Sequence, residues 1–151
     1  MIHPFPWSEA FAVGERKLDD EHRCMVDLID QTCIIALAGR SKAISLLREL
    51  QFVSEAHFRS EEALLHQIEV GIEQRHLQTV VHAAIEEHVR SHRHGLEALH
   101  KLVERWRASS LDGDDAKLCD ELKSWFIAHA IGQETQVKTI LQSTRHLSDV
   151  D

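Results

Sequence analysis

His57-Phe58-Arg59-Ser60-Glu61-Glu62 is the stretch on which the reading of this chain turns. On a helix, residues four apart lie one above the other, so His57 and Glu61 share a face. Steps of three and four extend that face to Leu47, Leu50, Ser54, Leu64 and Ile68, a core-facing stripe with an imidazole and a carboxylate in its middle. Such groups are costly to bury without partners. The partners on offer are each other, a polar side chain of another helix, or a shared metal ion. A polar pair four residues apart is common, and taken alone it favours the ordinary contact within one helix. The answer depends on what other helices place at the same height.

Before this stretch, Leu18, His22, Met25, Val26, Ile29, Cys33 and Leu37 form one helical stripe, with Asp19 and Asp20 near its positive end and Gly39 just beyond it. Ser41 is placed to cap the second helix, and Gly71 to Gln74 is the expected reversal after it. The third pattern is the longest: Leu77, Val81, Ile85, His88, His92, Leu96, Leu99, Val103, Trp106. It ends before Ser109-Ser110, and Asp112-Gly113-Asp114 reads as a loop with Asp114 as the next cap. The last stripe is Leu118, Leu122, Trp125, His129 and continues past Gly132. Pro4 and Pro6 make residues 1–15 read as an extended arm whose Trp7 and Phe11 can pack on the body. The expected fold is all-α, one domain over 1–151: an up-down-up-down four-helix bundle behind that arm, with helices over about 16–38, 42–70, 74–108 and 115–143.

Composition narrows the function classes. The chain has 151 residues, 43% apolar and 28% charged, enough for one hydrophobic core. A net charge of -8 with no Lys/Arg cluster argues against nucleic acid or an anionic membrane as partner. No apolar run approaches the roughly 20 residues that span a bilayer, and Met1 to Gly14 lacks the layout of a signal peptide. Cys24, Cys33 and Cys119 are odd in number and far apart, so a thiolate zinc site or dithiol centre is not expected. Reduced thiols in a cytoplasm fit best. Tyrosine, the usual radical-forming side chain, is absent, whereas histidine is abundant at 12 residues.

Those histidines fall on the stripes. His22 lies on the first helix, His57 with Glu61 on the second, His88 with His92 on the third and His129 on the fourth. One histidine on an apolar face is usually a satisfied core residue. Four helices doing the same thing together require either many buried acceptors or a metal, and few buried acids are available. Imidazole mixed with carboxylate, without thiolate, suits iron, manganese or zinc. Five imidazoles exceed what one ion needs, so two ions bridged by carboxylate are expected in the bundle core. The Glu-x-x-His pairs of carboxylate-rich bundles do not fit these stripes, and Glu87 precedes His88 at the wrong spacing.

In order, spacing and residue type the chain resembles a bacterial hemerythrin. The resemblance runs from Trp7 through Asp19-x-x-His22 and His57-Phe-x-x-Glu61-Glu62 to His88-x-x-x-His92 and Trp125-x-x-x-His129, covering nearly the whole sequence. It implies a non-haem di-iron centre, the two ions joined by an oxo or hydroxo bridge, that binds O2 reversibly. By the same resemblance His22, His57 and Glu61 are ligands of one or both irons, His88, His92 and His129 complete the imidazole set, and Glu134 is the second bridging carboxylate.

Two departures bear on the site. The family's last ligand is aspartate, and here it is Glu134, whose extra methylene lets it bridge from farther back or chelate one iron. Its five-residue step from His129 is off-phase for a regular helix, which calls for local loosening near Gly132, such as a π-bulge. Second, the gap from Glu61 to His88 is long for the family. Equal lengthening of both helices keeps the ligands level; the alternative is that His76 or His82 replaces one of the pair. His82 stands about 120° round the helix from His88, which speaks for His88 and His92. His66, His82, His94 and His100 are expected at the surface or behind the ligands. The competing class is an enzyme at the same metals, a peroxidase, NO-handling protein or ferroxidase. Protein partners are not readable from the sequence.

Overall fold

The computed structural model describes residues 4–36, 39–109 and 114–148. The elements are α1 (Arg16–Ala36), α2 (Arg40–Val70), α3 (Arg75–Ala108), α4 (Asp114–Ile127), a π-helical segment (Ala128–Gln133) and α5 (Glu134–Ser148). No strand occurs among the described residues. α4, the π segment and α5 follow one another without a break and form the fourth rod of a four-helix bundle. Its main packing pairs are α1 with α2, α2 with α3, α3 with α4, and α4 with α1, a closed ring of neighbours joined by short connections.

The helix starts follow local chemistry. Glu15 Oε2 accepts from the Leu18 N–H at 2.9 Å and caps α1. Asp19 in the first turn reaches back to the N–H groups of Val13 (2.7 Å) and Gly14 (3.2 Å). Gly14 has φ +88°, a left-handed conformation that suits glycine. Ser41 does not cap α2. The helix begins one residue earlier, at Arg40, with Gly39 at its start and no side-chain cap bond. Asp114 is likewise the first residue of α4, its carboxylate accepting from Ser109 Oγ at 2.9 Å. Leu37, which closes the first stripe, and Asp112-Gly113 of the expected loop lie outside the described residues.

Residues 4–15 carry a 3-10 turn, Glu9–Phe11, whose Ser8 hydroxyl accepts from the Ala10 N–H. Phe5 and Phe11 are buried and meet Phe126 edge-on. The Phe5 N–H donates to Asp30. Arg23 lies over the Trp7 ring, 4.6 Å from its centroid.

The core is two apolar clusters with a polar layer between them. Met25, Ile29, Leu47, Leu50, Leu99, Trp106, Leu122 and Phe126 belong to one. Leu18, Leu65, Val81, Ile85, Val137 and Ile140 belong to the other. Each rod therefore changes cluster across its polar residues: α1 between Leu18 and Met25, α2 between Leu50 and Leu65, α3 between Ile85 and Leu99, the fourth between Phe126 and Val137. On α2 the fully buried residue below Glu61 is Leu65, a four-residue step, while Leu64 and Ile68 pack at the margin. α2 runs on to Val70 and α3 starts at Arg75, so both helices extend past the polar layer and its side chains stay level. No helix of the described residues is long and apolar enough to cross a membrane.

Candidate metal centre

The polar layer consists of His22, Ser54, His57, Glu61, His88, His92, His129 and Glu134, none more than 3% exposed. Regular α periodicity delivers His57 with Glu61 and His88 with His92. The fourth rod needs a different device. Across the π segment the Glu134 N–H bonds to the His129 carbonyl five residues back, so a five-residue step closes one widened turn and both side chains face inward.

The inward atoms form two overlapping groups. In the first, one donor atom from each of His22, His57, Glu61, His129 and Glu134 lies within 4.8 Å of all the others. The second is Glu61 with His88 and His92. Glu61 belongs to both and stands between them. Its Oε1 contacts His88 Nε2 and lies 2.9 Å from His92 Nε2, and its Oε2 is 3.5 Å from His57 Nε2. Glu134 Oε1 lies 2.8 Å from His129 Nε2, 3.6 Å from His22 Nε2 and 3.9 Å from His57 Nε2. All five imidazoles thus turn Nε2 inward.

Their Nδ1 atoms face outward. His22 Nδ1 donates to the Phe11 carbonyl at 2.8 Å, which makes Nδ1 the protonated nitrogen of the neutral ring. His129 Nδ1 faces Gln133 Oε1 at 3.2 Å, and His92 Nδ1 faces Glu62 Oε1 at 2.9 Å. Glu21 Oε2 stands 3.7 Å behind His57 Nδ1. Phe58 stacks on His92 with ring centroids 4.1 Å apart and planes 6° apart, and Phe126 meets His22 edge-on.

Charge and hydrogen-bond accounting show that this donor set fits a cation. Glu61 Oε2 and both oxygens of Glu134 accept no hydrogen bond, although all three are buried. Neutral His92 has one N–H, yet a carboxylate oxygen lies 2.9 Å from each of its nitrogens. His22 Nε2 and His57 Nε2 approach His129 Nε2 at 3.4 and 3.2 Å, lone pair toward lone pair unless something positive lies between. The titration behaviour of the protein groups reflects the same crowding. Burial pushes the His92 pKa down to about 4, helped by the neighbouring His88. Burial also lowers His57. Burial would lower His22 and His88 too, but Glu134 and Glu61 respectively outweigh it and raise them. Burial raises Glu61, whereas for Glu134 the opposing pull of His129 and His22 wins and the pKa falls. Two carboxylates sharing one pocket are driven apart.

The structure brings all seven sequence-proposed residues, His22, His57, Glu61, His88, His92, His129 and Glu134, into this layer. His66, His76, His82, His94 and His100 are exposed. His82 instead pairs through Nδ1 with Glu69 and lies 3.3 Å from Glu86. The outer partners escaped the sequence reading. Glu62 and Gln133 carried signals, as the second glutamate of the opening stretch and a residue four after His129. A backbone carbonyl such as that of Phe11 leaves no trace in a sequence.

Comparison with known proteins points the same way. A family model described as Hemerythrin HHE cation binding domain matches residues 13–141, a span holding all seven residues. Proteins named hemerythrin-like protein from Naegleria gruberi and Naegleria fowleri are each 25% identical to this chain over 114 residues, covering 76% of this chain and 90% of the relative. No solved structure matches.

Proposed function

The chain belongs to the hemerythrin HHE cation-binding family, and on that premise we propose that its buried layer holds two non-haem irons and binds O2 reversibly. The observation that carries the reading is the convergence of five Nε2 atoms and two carboxylates in a dry layer, with Glu61 common to both ligand groups. His22, His57 and His129 with Glu134 would hold one ion, His88 and His92 the other, and Glu61 would serve both. The irons would supply the electrons that an O2-binding site must lend and recover. Five neutral imidazoles against two carboxylates leave much of the iron charge uncompensated, which favours lending electrons and taking them back over committed oxidation.

The protein's own part is orientation and exclusion of water. Phe126 meets His22 edge-on and is itself met by Phe11, Phe58 lies against His92 and near His129, and the two apolar clusters close the layer on either side. Trp125 donates from Nε1 to the Gly95 carbonyl at 2.8 Å, and a Cβ added at Gly95 would come into ordinary contact with both Trp125 and Phe58. Ile29 and Leu122 are fully buried in the cluster that includes Phe126. Anaerobic loading with ferrous iron followed by O2 tests the reading: a visible band should appear with O2 and vanish when O2 is removed. One ion per chain, or a band that cannot be reversed, would refute it.

One observation favours a second reading, an oxidising di-iron enzyme of the peroxidase, NO-handling or ferroxidase kind. Glu134 groups with His22, His57 and His129 but not with His88 and His92. A carboxylate that serves one ion leaves the other more open to reactive ligands.

A further inference from the structure

The second glutamate of the opening stretch has no place among the ligands, yet it is placed against one of them. Glu62 Oε1 is 2.9 Å from His92 Nδ1, while its neighbour Glu61 faces the same ring's Nε2 from the other side. Consecutive residues on a helix point about 100° apart, so one carboxylate enters the layer while the next stays at its rim. Glu62 is 27% exposed and borders a surface cavity lined also by Phe58, Arg59, His92 and Arg93.

The five imidazoles differ in what stands behind them. His22 has a backbone carbonyl and His129 an amide, both neutral acceptors. His57 and His88 make no hydrogen bond through Nδ1, the Glu21 carboxylate being 3.7 Å from the former. Among the five, His92 is the one whose outer nitrogen is hydrogen-bonded to a carboxylate. An imidazole that donates its outer N–H to a carboxylate is held in one tautomer and orientation and becomes a stronger donor through its other nitrogen. The stack with Phe58 fixes the ring plane as well.

Resting on the di-iron reading, we infer that Glu62 is a positioning residue: it commits His92 to present the Nε2 lone pair inward and makes that side of the centre electron-rich, so the ion there keeps its higher oxidation state more firmly. The unequal ligand groups already distinguish the two ions, and Glu62 adds to that difference without touching either.

The test uses the iron-loaded protein and three variants. Glu62→Gln keeps an acceptor of the same length without the charge, Glu62→Ala removes the acceptor, and Glu87→Gln removes a charge beside His88 that bonds to no ligand. Glu62→Gln should keep two irons while raising the midpoint potential and shifting the visible charge-transfer bands. Glu62→Ala should weaken iron binding about ten-fold or more, in the usual range for such partners. Glu87→Gln should do neither. If Glu62→Gln and Glu87→Gln move the potential equally, the effect is long-range charge and the proposal fails. Unchanged potential and affinity in both Glu62 variants, with two irons in the parent, would overturn it while leaving the di-iron reading intact. A parent that binds no iron would overturn both.

Discussion

The Glu134 N–H reaches back to the carbonyl of His129, five residues earlier, and that one widened turn is what puts a fourth-rod carboxylate beside a fourth-rod imidazole. A π turn is an α-helix with one extra residue, so the rod before and after it keeps the same face toward the core. Phe126 before the turn and Val137 after it are both fully buried. Deleting the exposed Ile131 should therefore heal the helix without rotating α5. We expect a folded protein whose stability changes by no more than the ~1 kcal/mol of an ordinary substitution, read by circular dichroism and thermal melting. Deleting Ala98 from the middle of α3 should unfold it. Equal damage from both would mean that the π segment is not an inserted residue.

Metal removal should cost stability. The buried carboxylate oxygens of Glu61 and Glu134 that accept no hydrogen bond depend on a cation for their partner. A ligand held at a thousand times its dissociation constant contributes ~4 kcal/mol, or roughly 10 °C in melting temperature for a domain of this size. Calorimetry with and without a chelator checks this, and superimposable melts would count against burial of the ions.

The third helix offers a choice among histidines. His88→Ala or His92→Ala should lose bound iron, because both rings point Nε2 at Glu61. His76→Ala and His82→Ala should not, since both side chains are exposed. Iron content per chain decides it. Loss from His82→Ala with retention in His92→Ala would reverse the assignment.

His82 makes a separate prediction about pH. The hydrogen bond and charge of Glu69 raise its pKa above 6.5, with a smaller contribution from Glu86. A histidine whose folded pKa is raised binds its proton more tightly in the folded state. Its contribution is complete below pH 6.5 and is lost as pH rises through the folded value. NMR titration should show the raised value in the parent and a return toward 6.5 in Glu69→Gln. No change in that variant would show that the contact with Glu69 does not persist in solution.

The regular part of this molecule was legible because two periodicities agree. Apolar residues and histidines recur in the same α-helical phase, so the stripe that predicts the bundle also predicts what converges inside it. The π segment could be inferred only because Glu134 is out of phase with His129. What stayed hidden does not repeat: that α2 starts at Arg40 behind Gly39 instead of after a Ser41 cap, or that Phe11 turns its carbonyl to His22. Caps and carbonyl contacts depend on how the chain enters a helix, which side-chain spacing does not encode.

Glu134 is where an O2-binding protein and an oxidising enzyme diverge. Its Oε1 leans toward His129, at 2.8 Å, with His22 and His57 at 3.6 and 3.9 Å, and it stands outside the group formed by Glu61, His88 and His92. Glu134→Ala removes a buried anion from that side, and binding of at least one iron should weaken about ten-fold or more. Glu134→Asp keeps the charge on a shorter arm, so two irons should remain and the O2-dependent band should persist at least as long as in the parent. Rapid mixing of the diferrous protein with O2 reads both effects. In the parent we expect the reversible band to form before any ferric product. Direct conversion to the ferric state in the parent, with a reversible band only in Glu134→Asp, would show that the longer carboxylate has opened the centre to oxidation, and the enzymatic reading would then replace the binding one.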